Sequence, residues 1–330
     1  MSMYRRRLMI ANALKKSSGL NYPGLIAAWS AKGKTNDDED RAILKDLTGN
    51  GHDITLNGFA FSEMSGYGGY DNIISNGTVN STYCDKINNV EITVKQTHPS
   101  GISTLAFNKP STNKAIYEIK GLVDGQVIHF GNDGSREKIL SVSKDGIYKV
   151  NWNDLYNINS SYYRCIYLDY NGDINCTIKN LPLYDGALLF DGVDDYGSAV
   201  DFEGKEIRTV ISKYQTLSVS LNRFSLYFRD PADGNIFQRI KTTKIQSKPS
   251  IRAYSDNVTL LGDYCIIERN KSARTKPFQI TGHNRILEIE NIAFYSAYLF
   301  DRSLDEQEIK EFIRKYIDPE YLLPSEQTTE

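Results

Sequence analysis

The sequence predicts an all-β fold of two sandwiches with one C-terminal amphipathic helix. Three observations lead there. Short runs rich in Val, Ile, Tyr, Phe and Thr recur along most of the 330 residues, with Gly, Asn and Asp turn signals between them, which is the spacing of sandwich strands. A single stretch carries a helical stripe, with Ile309, Phe312, Ile313 and Tyr316 at i, i+3, i+4 and i+7. The length corresponds to about two domains at ~150 residues each.

A basic arm opens the chain. Arg5, Arg6, Arg7, Lys15 and Lys16 stand without any acidic residue in residues 1–22, and this segment is expected to dock on a partner. The apolar stretch 8–14 is short, broken by Asn12 and followed by Lys15 and Lys16, so it does not read as a secretion signal. Pro23 then leads into an apolar strand over 24–30, with Trp29 in the core, and a polar loop follows over 32–41. Asp37-Asp38-Glu39-Asp40 in that loop reads as solvated. Asp46-Leu47-Thr48-Gly49-Asn50-Gly51-His52-Asp53 packs an Asn-Gly pair into a tight turn. A strand over 54–61 comes next, and the Gly/Tyr loop 65–70 marks a boundary.

Residues 79–183 hold strand-like runs at 90–97, 102–107, 115–122, 126–130, 139–143, 146–152, 163–170 and 176–180. Asp124-Gly125, Asp145-Gly146 and Asn171-Gly172-Asp173 are among the turns between them. From Ala187 onward the chain is again β-rich, up to a last strand over 286–295. Ser303 and Glu306 have the spacing of a capping box for the helix, and Asp318-Pro319 ends it.

Composition excludes several classes. Lys+Arg number 39 against 41 Asp+Glu, a net charge of −2, which leaves no basic face for a nucleic-acid reader. No run approaches the ~18 apolar residues of a membrane span. Cys84, Cys165, Cys176 and Cys265 form no C-x-x-C pair, so zinc and redox motifs are absent and free thiols in a reducing compartment are expected. The triplets Asn76-Gly77-Thr78 and Asn175-Cys176-Thr177 read as chance in an Asn-rich chain without a leader. The 22 Tyr against 13 Phe and 2 Trp suit binding surfaces as well as cores.

Leu25-Ile26-Ala27-Ala28-Trp29, followed by the turn from Asp46 to Asp53, resembles the opening of a laminin-G-like jelly roll of the concanavalin A-like lectin/glucanase superfamily. In that family an apolar strand ending in Trp precedes a D-x-[ST]-G-N-G turn. Leu189-Phe190-Asp191-Gly192-Val193-Asp194-Asp195-Tyr196 is similar to its next signature, L-x-F-D-G-x-D-D-Y. Ile292 to Leu299 and the helix with Glu306, Glu308 and Ile309 are similar to its last strand and tail. The resemblance implies a jelly roll split by about 125 residues. Structureless loops beyond ~12 to 15 residues are uncommon, so the stretch is expected to be a second β-sandwich inserted in the first. The expected organisation is a docking arm over 1–22, a split concanavalin A-like jelly roll over 23–70 and 184–320, an inserted sandwich over 71–183, and a tail over 321–330.

The start, Met3-Tyr4-Arg5-Arg6-Arg7-Leu8-Met9, resembles the leader of virion-associated proteins encoded by phages and prophages of gut Bacteroides-like bacteria. This implies a virion protein, made in the host cytoplasm without a signal peptide. Other virion proteins would be its partners through Arg5, Arg6 and Arg7, and a homo-oligomer is expected.

Asp191, Asp194 and Asp195 gather three carboxylates within five residues. They suit calcium, which members of the resembled family hold near such loops, and equally a turn in which Asp side chains bond the local backbone. Glucanases of the superfamily carry E-x-D-x-x-E on one strand, so that alternation puts paired acids on one face. Here Glu288 and Glu290 share a face but the next same-face position is Ile292, and no catalysis is expected. His52, His98, His129 and His283 have no metal-ligand spacing. Glycan stacking is open to Tyr67, Tyr70, Trp152, Tyr156, Tyr162 and Tyr163, as are core packing and a subunit interface. The function expected is adhesion or carbohydrate binding by a non-enzymatic phage protein. The alternatives are a purely structural virion protein and a bacterial surface glycan-binding protein.

Overall fold

The computed structural model describes residues 19–75, 77–98, 103–108, 114–132, 135, 137–155, 164–168, 172–199, 207–217, 226–229, 236–241, 250–251, 256–261, 263–269, 278–280 and 291–319. The fold is all-β. One compact unit draws on both ends of the chain, up to Phe61 and from Gly186, and the other runs from Ser62 to Asp185.

The first unit begins with β1 (Leu25–Ser30), β2 (Ile43–Leu44) and β3 (Ile54–Asn57). The second contains β4 (Gly66–Tyr67), α1 (Asn72–Ser75), β5 (Thr78–Val79), β6 (Cys84–Asn88), β7 (Glu91–His98), β8 (Ser103–Asn108), β9 (Lys114–Lys120), β10 (Ile128–Asn132), β11 (Glu137–Val142), β12 (Gly146–Asn151), β13 (Arg164–Leu168) and β14 (Gly172–Leu181). The first unit resumes with β15 (Leu188–Asp191), β16 (Tyr196–Ala199), β17 (Thr209–Thr216), β18 (Leu226–Arg229), β19 (Ile236–Lys241), β20 (Ser250–Ile251), β21 (Asp256–Leu261), β22 (Tyr264–Arg269), β23 (Phe278–Ile280) and β24 (Asn291–Phe300). It closes with α2 (Glu306–Phe312) and the π turn Ile313–Ile317.

In the first unit one sheet runs β21-β22-β17-β24, and both β1 and β15 pair with the far side of β24. β1 takes the stretch from Ser296 to Phe300 and β15 takes Asn291 to Phe294, all antiparallel. A strand bordered on both sides and buried on both faces reads as a continuous apolar run, and β24 has that sequence, Asn-Ile-Ala-Phe-Tyr-Ser-Ala-Tyr-Leu-Phe. The second sheet has the order β2-β3-β16-β23-β18-β19-β20.

The stripe of α2 is buried at Ile309, Phe312 and Ile313, with Tyr316 partly buried beside them. The Phe312 ring meets Tyr22, Phe300 and Tyr298 edge-on at 5.0, 5.1 and 5.3 Å. Leu20 and Tyr22, in the segment expected to be an arm, pack on this core, and Leu20 N–H donates to Leu47 O. The capping box is Asp305 with Glu308, two residues beyond the expected Ser303 with Glu306. The reason is Leu304, which is buried and donates its N–H to Thr209 Oγ1, so the lead-in stays extended as far as Asp305. Leu304 and Ile309 join one core as a hydrophobic staple.

The inserted unit has two five-stranded antiparallel sheets, β11-β10-β13-β8-β5 and β12-β9-β14-β7-β6. Alternation is plain on β9, where Ala115, Tyr117 and Ile119 are buried while Lys114 and Lys120 are exposed. Ile128, Phe130, Ile166, Leu168, Ile174 and Ile178 join the same core. β10 and β13 are buried at every position. Cys84, Cys165, Cys176 and Cys265 form no disulfide and are all buried. Burial pushes the thiols of Cys84, Cys176 and Cys265 up to about 12, far from a nucleophile's range. Among the described residues no helix is long and apolar enough to cross a membrane.

Candidate functional site

The turn after β2 is a clasp. Asp46 Oδ1 accepts from Ala28 N–H at 3.1 Å, Thr48 N–H at 3.0 Å and Thr48 Oγ1–H at 2.7 Å, while Oδ2 accepts from His52 N–H at 3.2 Å. Asn50 Nδ2 donates to Ile26 O, and Trp29 Nε1 donates to His52 O at 2.6 Å. Gly49 and Gly51 have φ of 80° and 88°, where a side chain would be strained. The polar groups of the D-x-T-G-N-G pattern are therefore spent on holding β1, and the turn offers a ligand little.

Asp191, Asp194 and Asp195 come together at the β15–β16 loop, each offering an oxygen within 4.8 Å of the others. That spread matches Ca²⁺–oxygen distances of ~2.3–2.6 Å on two sides of one ion. Two of the carboxylates also brace the loop: Asp195 Oδ2 accepts from Asp191 N–H at 2.9 Å and Asp191 Oδ1 from Val193 N–H at 2.8 Å. Gly58 passes so close that a Cβ there would lie 2.3 Å from Asp194 O. The geometry serves a braced turn without an ion and leaves carboxylate oxygens for a hard cation.

The aromatic candidates are placed differently from a stacking platform. Tyr67 and Trp152 are buried, at 2% and 0% exposure, and Tyr70 is half-buried. The Tyr67 and Trp152 rings, so enclosed, present no face to a sugar. Tyr156, Tyr162 and Tyr163 lie outside the described residues, as do Arg5, Arg6, Arg7, Glu288 and Glu290.

Trp152 belongs instead to a buried polar cluster that no motif announces. Its Nε1–H donates to Asp71 Oδ2 at 2.6 Å, and Tyr117 Oη–H donates to the same oxygen at 3.0 Å. The Arg164 guanidinium lies 5.6 Å from the Trp152 ring centroid, and Asn180 is the cross-strand partner of Tyr117. Burial pushes the Asp71 carboxyl above its ordinary range, against the pull of the Trp152 and Tyr117 hydrogen bonds and the Arg164 charge. Burial also lowers Arg164, with the Asp71 charge opposing it. In the sequence only Trp152 stands out, among the aromatic candidates, and its residue type does not specify a partner.

An open cleft of about 530 Å³ lies on the inserted unit, lined by Lys95, Gly121, Val123, Gln126, Asp173, Ile174 and Asn175. Its frame is hydrogen-bonded: Gln126 Oε1 accepts from Val123 N–H at 3.0 Å and Gln126 Nε2 donates to Asp173 O at 2.7 Å. Asp145 Oδ1 accepts from Leu122 N–H at 2.8 Å. Gly121, with φ of 95°, lets the hairpin approach β14, where a Cβ would meet Asn175 O at 2.9 Å. Lys95 and Asn175 face each other in register on β7 and β14 and are exposed, as are Asp173 and Val123. In the sequence this region shows only strand runs and the turns Asp124-Gly125 and Asn171-Gly172-Asp173.

No family model and no curated protein matches the chain. Among solved structures the chain is similar to one from Parabacteroides distasonis described as a "putative secreted protein", at 5% identity and a TM-score of 0.18, over 71% of this chain and 99% of that one.

Proposed function

We propose that this protein is a non-enzymatic binding protein of a phage or prophage virion, in which the inserted sandwich presents a glycan to its open cleft and the split, jelly-roll-like sandwich carries the arm. The observation that supports binding is the cleft itself, a shallow, open surface braced by Gln126 and Asp145 with Lys95, Val123, Asp173 and Asn175 exposed along it. Lys95, which pairs with Asp85, donates, Asp173 accepts and Asn175 does both, while Val123 adds apolar area. This is the mixture a sugar's hydroxyls and apolar face require. Among the described residues the lining holds one carboxylate, Asp173, whereas glycoside hydrolysis uses two.

Glycan-array screening of the full chain, followed by titration of a hit against Asp173→Ala and Asn175→Ala, tests the reading. Wild-type binding that falls at least tenfold in either variant supports it, and binding indifferent to both removes the cleft. The virion assignment rests on the resemblance at residues 3–9. Its test is a chain lacking residues 1–18, which keeps Leu20 and Tyr22 in the core, and normal incorporation of that chain into particles would sink the docking role. Calcium at Asp191, Asp194 and Asp195 is tested by calorimetric titration of the ion against Asp194→Asn. A purely structural virion protein, with its sandwiches packing subunits of a homo-oligomer, is the second reading. The burial of Tyr67 and Trp152 favours it.

A further inference from the structure

The interior of the inserted sandwich holds polar atoms that its own hydrogen bonds leave unpaired. Asp71 Oδ2 takes both ring donors, but no fully formed hydrogen bond reaches Oδ1, Nε and Nη1 of Arg164 or either amide atom of Asn180, although Ile73 N–H lies beside the Asp71 carboxylate and Asn180 beside the Tyr117 hydroxyl. The three side chains are 1%, 2% and 1% exposed. Buried polar atoms in folded proteins are nearly always paired, so five in one cluster point to a bound guest.

Chemistry identifies the guest. The unpaired set mixes donors, from Arg164 and Asn180, with acceptors, from Asp71 and Asn180. A cation would face the guanidinium and a simple anion would face the carboxylate. Burial to 2% or less closes the cluster to an organic ligand. Water both donates and accepts, and a buried water typically makes about three hydrogen bonds. Placement supports this. Trp152 holds Asp71 on its N–H and Arg164 on its face, so the two charges stand around one indole, and Asn180 sits across the strand pair from Tyr117, the other donor to Asp71. We propose that Asp71, Arg164 and Asn180 enclose ordered water that bridges carboxylate to guanidinium, a water-mediated charge pair tying the segment before α1 to β13 and β14.

A crystal structure of the full chain, at a resolution that orders solvent, tests the site. The expected result is a water oxygen ~2.6–3.2 Å from Asp71 Oδ1 and from a nitrogen of Arg164 or Asn180. A direct Asp71–Arg164 hydrogen bond with no water between them overturns the proposal, as does density that refines as an ion. Oxygen-17 relaxation dispersion gives a second readout: Arg164→Met, which keeps the stem beside Trp152, should lose at least one long-lived water relative to wild type. An unchanged count in a folded variant overturns the proposal as well. The crystal structure requires no variant, so it decides the matter even where Arg164→Met does not fold.

Discussion

Two buried aspartates, one in each unit, solve the same problem differently. Asp46 of the first unit, 8% exposed, accepts from Ala28, Thr48 and His52, and its donors are mostly within six residues. Asp71 of the inserted unit, 1% exposed, accepts from side chains 46 and 81 positions away. A charge satisfied by backbone amides of its own turn is written as a local motif. A charge satisfied by rings from distant segments, Tyr117 on β9 and Trp152 in the turn after β12, exists only once the sheets have closed.

If the first unit is closed by hydrocarbon and a local clasp, Phe312→Ala is the largest single loss there, roughly 3 to 5 kcal/mol. Calorimetry should show it in one transition, with the inserted unit's transition unmoved, and a shift of both would break the comparison. Asp71→Ala should cost the inserted unit about 3 kcal/mol, because it leaves the Arg164 charge and two ring donors buried without their acceptor. Denaturant midpoints for this variant within experimental error of wild type would deny the cluster its importance. Asp46→Ala should cost the first unit about 2 kcal/mol, read in the same scans, since part of its turn reaches water.

The smallest effect is a pH dependence. The folded value of Asp71 lies above the ordinary one because of burial, so the folded state keeps the proton better than the unfolded chain. The stabilisation this gives is complete below about pH 3.9, the ordinary aspartate value, and is lost as pH rises through the raised folded value. Melting of the inserted unit from about pH 4 upward should therefore fall relative to Asp71→Asn, which does not titrate. Parallel curves for the two proteins would show that the carboxyl is not displaced upward.

The all-β class and the α2 stripe were legible because both rest on short-range periodicity, as with Ala115, Tyr117 and Ile119 on one face of β9. Boundaries were less so. The strand expected over 54–61 ends at Asn57, since Gly58 is turned, with φ of 85°, to let the Asp194 loop approach. The helix start moved because Leu304 is needed in the core. The type of Trp152 suits a sugar surface, a core or a subunit interface alike, and no sequence pattern records that its N–H is taken by Asp71. The cleft escaped for the same reason, as Lys95, Gln126 and Asp173 come from three separate segments.

The pairing of β1 and β15 along one side of β24 sets an order of events during synthesis. Leu25 waits for Phe300, so the first apolar strand leaves the ribosome with its neighbour still unmade. The two sheets of the inserted unit draw only on residues 78–181 and can close while translation continues, since domains generally fold as units as they emerge. The guest thus matures before its host. Through that interval Leu25 to Trp29 is a bare, unpaired strand, the kind of nascent segment that holding chaperones cover and that premature chain termination would leave prone to aggregate.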